Sequence, residues 1–210
     1  MLKVVAVLAF AYLVGSIPCG WLVMKVWRNQ DVRRLGSGNI GAANVYRAGG
    51  LGTFVITMVA DGLKGSLAVL AGILIGFGSN ETVLALTGLV AVVGHNWPIY
   101  LRFKGGKGVA TSGGVMLVLA PLATVVSVAA WILSVRFTRV ASLSSLIAVA
   151  LGFVVLLVLR ITGWVIGRPV GWSVILLGVI LLSLVLFRHR ANIERLIRGR
   201  EPELRVTPSH

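Results

Sequence analysis

Long apolar runs separated by short polar clusters dominate the chain. A helix needs about twenty apolar residues to cross the hydrocarbon core of a bilayer. Five runs approach or exceed that length, at residues 4–27, 52–77, 82–101, 140–159 and 170–187. Asp61 and Lys64 interrupt the second run, and the last two carry no charge. The pattern predicts a bundle of membrane-spanning helices.

Residues 108–135 form a sixth apolar stretch, which is either one long helix or two short ones meeting near Pro121. The distribution of Lys and Arg decides between one helix and two, because these residues collect in cytoplasmic loops. With two helices, 16 of the 20 positive charges share one face. With one helix, the charges from Arg136 onward move to the opposite face and the bias disappears. Two short helices are therefore predicted, with Pro121 opening the second, where its missing N–H costs nothing.

The resulting prediction is an all-α integral membrane protein with seven transmembrane helices, two of them short. The N-terminus lies outside and the C-terminus in the cytoplasm. The chain is one polytopic membrane domain, residues 1–210. Its cytoplasmic segments are approximately residues 28–51, 102–112 and 136–145 and the tail 188–210.

Composition narrows the choice of function class. The chain is 57% hydrophobic with a net charge of +14, and its mean hydropathy is +0.96. Nucleic-acid binding would need a solvated basic domain, and none is visible, so membrane topology explains the charge. Cys19 is the single cysteine, which excludes an internal disulfide and a zinc cluster. The six acidic residues show no pairing typical of a glycosidase or a two-metal site.

The first polar cluster reads LGSGNIGAANVYR, from Leu35 to Arg47. Its G-x-G-x-x-G spacing suggests dinucleotide binding, which requires a βαβ unit. A predicted membrane span precedes the cluster and another follows, so that interpretation is rejected. Glycine N–H groups together with Ser and Asn side chains ahead of a helix can still cradle a phosphate. A tight re-entrant turn would use the same glycines.

The sequence FKGGKG at residues 103–108 makes a similar prediction. Lys104 and Lys107 flank a Gly–Gly pair at the start of a predicted helix. The spacing does not match a Walker A loop. Either phosphate binding or a positively charged membrane anchor with a flexible turn would account for it.

Further polar residues lie at or near the cytoplasmic face. Asp61 and Lys64 are spaced i, i+3 and can face each other within a span. His95 near a span end either lines a site or makes a structural hydrogen bond. His189, Asn192 and Arg195 share one face of a helix that leaves the membrane, which also suits an interfacial anchor.

Taken together, these clusters resemble the bacterial acyl-phosphate:glycerol-3-phosphate acyltransferase family, the PlsY family. The resemblance runs from the first span to Glu201. Ala43 and Ala191 depart from it, at positions where the family often has Thr and Glu. The matching segments are LGSGNIGAANVYR, DGLKG, GHNWPIYLRFKGGKGVAT, TRVASLSS and HRANIERLIRGRE.

The resemblance implies transfer of an acyl chain from acyl phosphate to the 1-hydroxyl of glycerol 3-phosphate, giving lysophosphatidic acid and inorganic phosphate. This is the first acylation of bacterial phospholipid synthesis, performed in the inner membrane with the site facing the cytoplasm. The resemblance implies no cofactor, no metal and no nucleic acid. It does imply contact with the soluble enzyme that makes acyl phosphate. The implied catalytic residues are Ser37, Arg47, Lys104, Ser142, His189 and Asn192. The implied substrate- and phosphate-binding residues are Gly38, Asn39, Gly41, Asn44, His95, Gly105, Gly106, Lys107, Gly108, Arg195 and Glu201.

Two questions stay open at the sequence level. His189, His95 or an oxygen of the substrate phosphate can take the hydroxyl proton, and the scarcity of acids in the predicted loops favours the phosphate. A membrane anion or phosphate transporter would also explain a basic cytoplasmic funnel. Transport would require polar residues through the full membrane depth, whereas the outer halves of the predicted spans are almost purely apolar.

Overall fold

The structure is a computed structural model that describes residues 1–164 and 169–206. Within these ranges the regular structure is entirely helical. Short 3₁₀ turns occur at Val32–Arg34 and Ile99–Leu101, and a π-helical turn at Ile73–Phe77 extends the fourth helix. Arg168, which the sequence prediction placed on the outer face, lies outside the described residues. The helices are α1 (Leu2–Gly15), α2 (Cys19–Arg28), α3 (Ala42–Gly49), α4 (Leu51–Gly72), α5 (Glu81–Asn96), α6 (Val109–Leu119), α7 (Pro121–Thr138), α8 (Ala141–Thr162), α9 (Trp172–Arg188) and α10 (Arg190–Ile197).

Five helical segments in the described residues are long and apolar enough to cross a bilayer. A sixth is counted when α9 and α10, which meet at a 61° bend, are taken as one span. Helix α6 is apolar but has only 11 residues. At 1.5 Å per residue it rises about 16 Å, roughly half the hydrocarbon thickness. The five segments are Leu2–Arg28, Leu51–Phe77, Glu81–Leu101, Pro121–Thr138 and Ala141–Thr162.

The predicted break near Pro121 is confirmed. Ala120 has non-helical backbone angles (φ −148°, ψ 74°) and ends α6, and Pro121 is the first residue of α7. The two helices are unequal in length, with 11 residues in α6 and 18 in α7, since α6 begins at Val109 and α7 continues to Thr138. Proline explains the position because it lacks the N–H that a continuing helix would need.

The first predicted span, residues 4–27, is in fact two helices. Helix α1 ends at Gly15, and α2 begins at Cys19 after a short irregular segment containing Pro18. The carbonyl of Ile17 accepts a hydrogen bond from Lys64 Nζ at 2.8 Å. The lysine of the second span therefore caps the break in the first.

Helices pack closely where glycines face a neighbouring backbone. A Cβ on Gly114 of α6 would collide with the Gly62 carbonyl of α4, and one on Gly65 of α4 would collide with the Thr111 carbonyl of α6. Ser66 Oγ donates to the Gly114 carbonyl at 2.7 Å across the same contact. Small residues that allow such approach are typical of helix packing in membranes.

The distribution of polar residues inverts that of a water-soluble protein. Asp61, Lys64 and His95 are at most 4% exposed, whereas Leu133 and Ile132 of α7 are 60% and 55% exposed. Charged side chains inside a membrane protein face the interior of the bundle, and apolar ones face lipid. The exterior of these helices thus suits a hydrocarbon environment.

A small apolar core supports the segment between α2 and α3. Met24 of α2, Val32 and Ile40 of the connecting loop, and Val45 of α3 are each at most 3% exposed and pack together. This core fixes the glycine-containing loop against the bundle, which positions one wall of the site described next.

Candidate active site

A cavity of about 850 Å³, measured with its open mouth, lies where α3, α4, α8 and α10 converge with the loop before α6. It gathers most of the residues that the sequence singled out, although they are spread over the whole chain. Gly38, Lys104, Gly105 and Gly106 do not line it. The predicted residues that do line it are Ser37, Asn39, Gly41, Asn44, Arg47, His95, Lys107, Gly108, Ser142, His189, Asn192, Arg195 and Glu201.

Asn44 organises the loop that forms the first wall. Its side chain is 2% exposed, and its Nδ2 donates to the carbonyls of Val32, Leu35 and Asn39 at 2.9–3.1 Å. Its Oδ1 accepts from the Ser37 N–H at 3.0 Å. Buried polar groups need such partners, so the loop conformation depends on this asparagine.

The glycines of this loop serve the turn rather than the cavity. Gly36 and Gly38 have φ of +51° and +70°, angles that favour glycine. The Gly38 N–H donates to the Leu35 carbonyl, and the Gly41 N–H to Asn39 Oδ1. The expectation that these N–H groups are offered to phosphate is therefore not met at these residues. The first turn of α3, which begins at Ala42, lines the cavity instead, and the leading amides of a helix lack intrahelical partners.

Arg47 reaches the cavity from α3 and also holds the C-terminal segment. Its guanidinium donates to the Glu203 carbonyl at 3.2 Å and the Pro202 carbonyl at 3.1 Å. Pro202 lines the cavity beside it. The arginine thus joins the first motif to a segment about 155 residues further along the chain.

Lys107 supplies the second cation of the cavity. Its Nζ donates to Asn192 Oδ1 of α10. Burial lowers the pKa of Lys107 to about 8, and Arg195, Arg47 and Arg188 add to this effect while Glu201 opposes it. Gly108, at φ +83°, ends the loop and packs against Asn96, leaving no room for a side chain.

The other residues of the FKGGKG segment have different positions. The Lys104 side chain is exposed and does not line the cavity. Gly105 and Gly106 are buried behind the cavity, where a Cβ on Gly106 would meet the His95 ring. Arg102 and Phe103 precede them with φ of 50° and 62°, so the chain reverses sharply there.

Glu201 is the centre of a hydrogen-bond network at the cavity. It accepts from Ser142 Oγ of α8 at 2.8 Å and from Asn192 Nδ2, both at Oε1. Arg195 Nε donates to its other oxygen at 2.7 Å. Burial raises the pKa of Glu201, but these donors outweigh that effect and hold the pKa below its ordinary value. Glu201 is therefore an anion that orients Ser142 and Asn192.

His189 sits at the junction of α9 and α10 and is 2% exposed. Its Nδ1 lies 2.8 Å from the Val185 carbonyl, which only accepts, so Nδ1 carries the proton and the neutral ring leaves Nε2 as an acceptor. Burial lowers the pKa of His189 to about 4, and the charge of Lys107 adds to that shift. The imidazole is therefore neutral at physiological pH.

Asp61, Lys64 and His95 form a buried group beside the cavity. Lys64 Nζ lies 2.7 Å from Asp61 Oδ1, which confirms that the i, i+3 pair faces itself. His95 Nδ1 lies 3.5 Å from the same oxygen. Asp61 and His95 also line the cavity. The sequence predicted that Asp61 can face Lys64 but indicated no role for Asp61 at a site.

An apolar wall completes the cavity, and sequence reasoning missed it. Phe54 and Met58 on α4 and Trp131 on α7 line this side. The Phe54 and Trp131 rings stack with centroids 5.8 Å apart at 20°, and Trp131 Nε1 donates to Ser145 Oγ at 3.1 Å. One aromatic or Met in an apolar helix carries no signal of its own, because every face of such a helix is apolar.

The arrangement combines three cations, Arg47, Lys107 and Arg195, with an apolar wall in one cavity. It suits an amphiphilic ligand with an anionic head. No group of three His, Cys, Asp or Glu side chains in the described part of the chain is placed to hold a metal ion.

Comparison with known proteins identifies the class of protein that carries this cavity. The family model described as "Glycerol-3-phosphate acyltransferase" matches residues 5–199, and the chain belongs to this family. A relative of that name from Desulforudis audaxviator is 42% identical over 95% of both chains. Another, from Halalkalibacterium halodurans, is 41% identical over 92% of both chains.

Two solved structures share the fold. Both are of PlsY, described as an integral membrane glycerol 3-phosphate acyltransferase. The glycerol 3-phosphate form is 37% identical with a TM-score of 0.85, and the alignment covers 96% of this chain and 95% of that one. The lysophosphatidic acid form is 36% identical with a TM-score of 0.83 over the same shares. The apolar helices and these neighbours define a multi-pass membrane protein of the PlsY family.

Proposed function

We propose that this chain transfers an acyl group from acyl phosphate to the 1-hydroxyl of glycerol 3-phosphate, releasing lysophosphatidic acid and inorganic phosphate. The observation that carries the proposal is the cavity in which cationic side chains face an apolar wall. Both substrates carry phosphate, and one also carries an acyl chain. The relatives' activity and the two ligand forms of the structural neighbours support it.

The cations hold the phosphate groups and stabilise the charge that develops during transfer. Lys107 is bonded to Asn192 and Arg195 to Glu201, and both line the cavity together with Arg47 of α3. Donors already held in place stabilise an anionic transition state without further reorganisation. The first amides of α3 add donors at a helix N-terminus, which favours an anion.

In the chemical step the glycerol hydroxyl attacks the acyl carbon. A new C–O bond forms, the bond between the acyl carbon and the bridging oxygen breaks, and that oxygen leaves with the phosphate. The hydroxyl proton goes to an oxygen of the leaving phosphate, so atoms and charge balance. A pKa of about 4 makes His189 a weak base. Its Nε2 instead accepts a hydrogen bond that orients the hydroxyl.

Phe54, Met58 and Trp131 receive the first part of the acyl chain. Acyl phosphate is already activated, so the transfer needs neither a covalent enzyme intermediate nor a cofactor. We also propose seven spans, counting α1 with α2 as one and α6 as a short span. In this topology the N-terminus is outside and the cavity opens to the cytoplasm across the bacterial inner membrane, where it can receive acyl phosphate from the soluble enzyme that makes it.

Phosphate release from acyl phosphate by the purified protein, measured with and without glycerol 3-phosphate, tests the proposal. We expect release that depends on glycerol 3-phosphate and matches the lysophosphatidic acid formed. In sealed vesicles, uptake of labelled phosphate with no lysophosphatidic acid would favour the transporter alternative.

A further inference from the structure

Arg188, the last residue of α9, is bound to the backbone of the Gly–Gly pair before Lys107. Its Nε donates to the Gly106 carbonyl at 3.0 Å, and its Nη2 donates to the carbonyls of Gly106 at 2.8 Å and Gly105 at 3.0 Å. Three bonds from one planar guanidinium fix both the position and the tilt of two successive peptide groups.

Other contacts hold the same segment from different directions. The Arg188 guanidinium lies over the Trp97 ring, 5.3 Å from its centroid. The Gly106 N–H donates to the His95 carbonyl at 3.1 Å, and Asn39 Nδ2 approaches the Gly105 carbonyl at 3.4 Å. Arg188 supplies the only contact among these that bonds to both glycine carbonyls.

A Gly–Gly pair needs such an external restraint. Glycine has no side chain to pack and loses more conformational freedom on ordering than any other residue. Lys107 follows directly, so any movement of the Gly106 peptide moves the start of its side chain. The Lys107 Nζ bond to Asn192 then depends on where the loop is held.

We propose that Arg188 is a positioning residue that sets the place of Lys107 by clamping Gly105 and Gly106. Arg188 does not line the cavity and so does not act on substrate directly. The inference rests on the proposed function, in which Lys107 stabilises charge during transfer.

Arg188→Lys and Arg188→Ala test the proposal, with Arg190→Ala as the matched control. Arg190 is two residues away, exposed and bonded to the Phe187 carbonyl rather than to the loop. Displacement of a catalytic group by about 1 Å can cost on the order of 100-fold in rate. We expect Arg188→Lys to lower kcat between about tenfold and 100-fold while KM for glycerol 3-phosphate changes less than about threefold. Arg190→Ala is expected to retain wild-type kcat.

A double-mutant cycle with Lys107→Ala separates positioning from general support of the fold. If Arg188 acts through Lys107, adding Arg188→Lys to Lys107→Ala lowers kcat less than about twofold further, because coupled residues are not additive. Full additivity, or wild-type kcat in Arg188→Lys, would overturn the inference. An inactive wild-type protein would instead refute the proposed function. The conservative lysine variant keeps the test usable if Arg188→Ala fails to fold.

Discussion

Lys104 and Lys107 flank the same Gly–Gly pair, but only Lys107 lines the cavity. Replacing each by alanine in turn gives a sharp contrast between two like charges three residues apart. Lys107 is largely buried and bonded to Asn192, whereas the Lys104 side chain is exposed. Because solvent and salt screen an exposed charge, and Lys104 does not line the cavity, we expect Lys104→Ala to keep kcat within about twofold of wild type.

The expected loss for Lys107→Ala follows from its position. Removing one donor that stabilises a developing oxyanion costs about 100- to 1,000-fold in kcat, or about 2.7–4 kcal/mol. The assay is initial-rate formation of lysophosphatidic acid at saturating glycerol 3-phosphate, with melting temperature as a check on folding. Equal losses in the two variants, or a large loss in Lys104→Ala alone, would refute the assignment.

The pH dependence gives a second check on the same residue. Lys107, with a pKa of about 8, is cationic below that pH and loses its proton above it. We therefore expect kcat/KM, which reports the free enzyme, to fall about tenfold per pH unit above about pH 8. In Lys107→Arg the charge persists and this decline is absent. If kcat/KM of Lys107→Arg fell above about pH 8 as steeply as that of the wild type, the role of Lys107 would be contradicted.

Three further predictions test other parts of the account. His189→Gln should keep kcat within about tenfold of wild type if the leaving phosphate takes the proton, and a loss of 100-fold or more would identify a histidine base. Gly114→Ala should destabilise the protein by about 1–3 kcal/mol, because its Cβ would strike a backbone carbonyl of α4. Gly113→Ala, which meets no atom within 4 Å, should not lower the melting temperature in detergent. With the buried Cys19 replaced by alanine, a cysteine in place of Lys3 should react with an impermeant thiol reagent added outside intact cells, and labelling only after lysis would reverse the topology.

Local features were the most predictable from sequence. The helix break at Pro121 follows from a missing N–H, and the facing of Asp61 and Lys64 follows from helical spacing. His189, Asn192 and Arg195 indeed reach one cavity, since a short helix carries them on one side. Each of these predictions depends on residues near one another in the chain.

Features that depend on distant contacts were not predictable. Of the two lysines in the symmetric KGGK spacing, Lys104 is exposed and Lys107 lines the cavity, a difference that the spacing itself does not encode. Arg47 donates to the carbonyl of Pro202, about 155 residues further along the chain, and no local sequence pattern predicts this contact. The sequence does not predict the apolar wall at Phe54 either, because an apolar residue in a membrane helix can face either the lipid or a cavity.

The same limit applies to the glycines of the first motif. The sequence predicted phosphate donors at Gly38 and Gly41, but their N–H groups are bonded within the loop. The Gly38 N–H donates to the Leu35 carbonyl, and Asn39 Oδ1 accepts from the Gly41 N–H because Asn side chains reproduce local backbone hydrogen bonds.

The proposed function depends on acyl transfer with cleavage between the acyl carbon and the bridging oxygen. Acyl phosphate labelled with ¹⁸O at that bridging oxygen, incubated with the purified protein and glycerol 3-phosphate, tests it most directly by mass spectrometry of both products. We expect all of the label to appear in inorganic phosphate and an equal amount of unlabelled 1-acyl lysophosphatidic acid to form. Label in a free fatty acid without lysophosphatidic acid would show attack at phosphorus and would contradict the account.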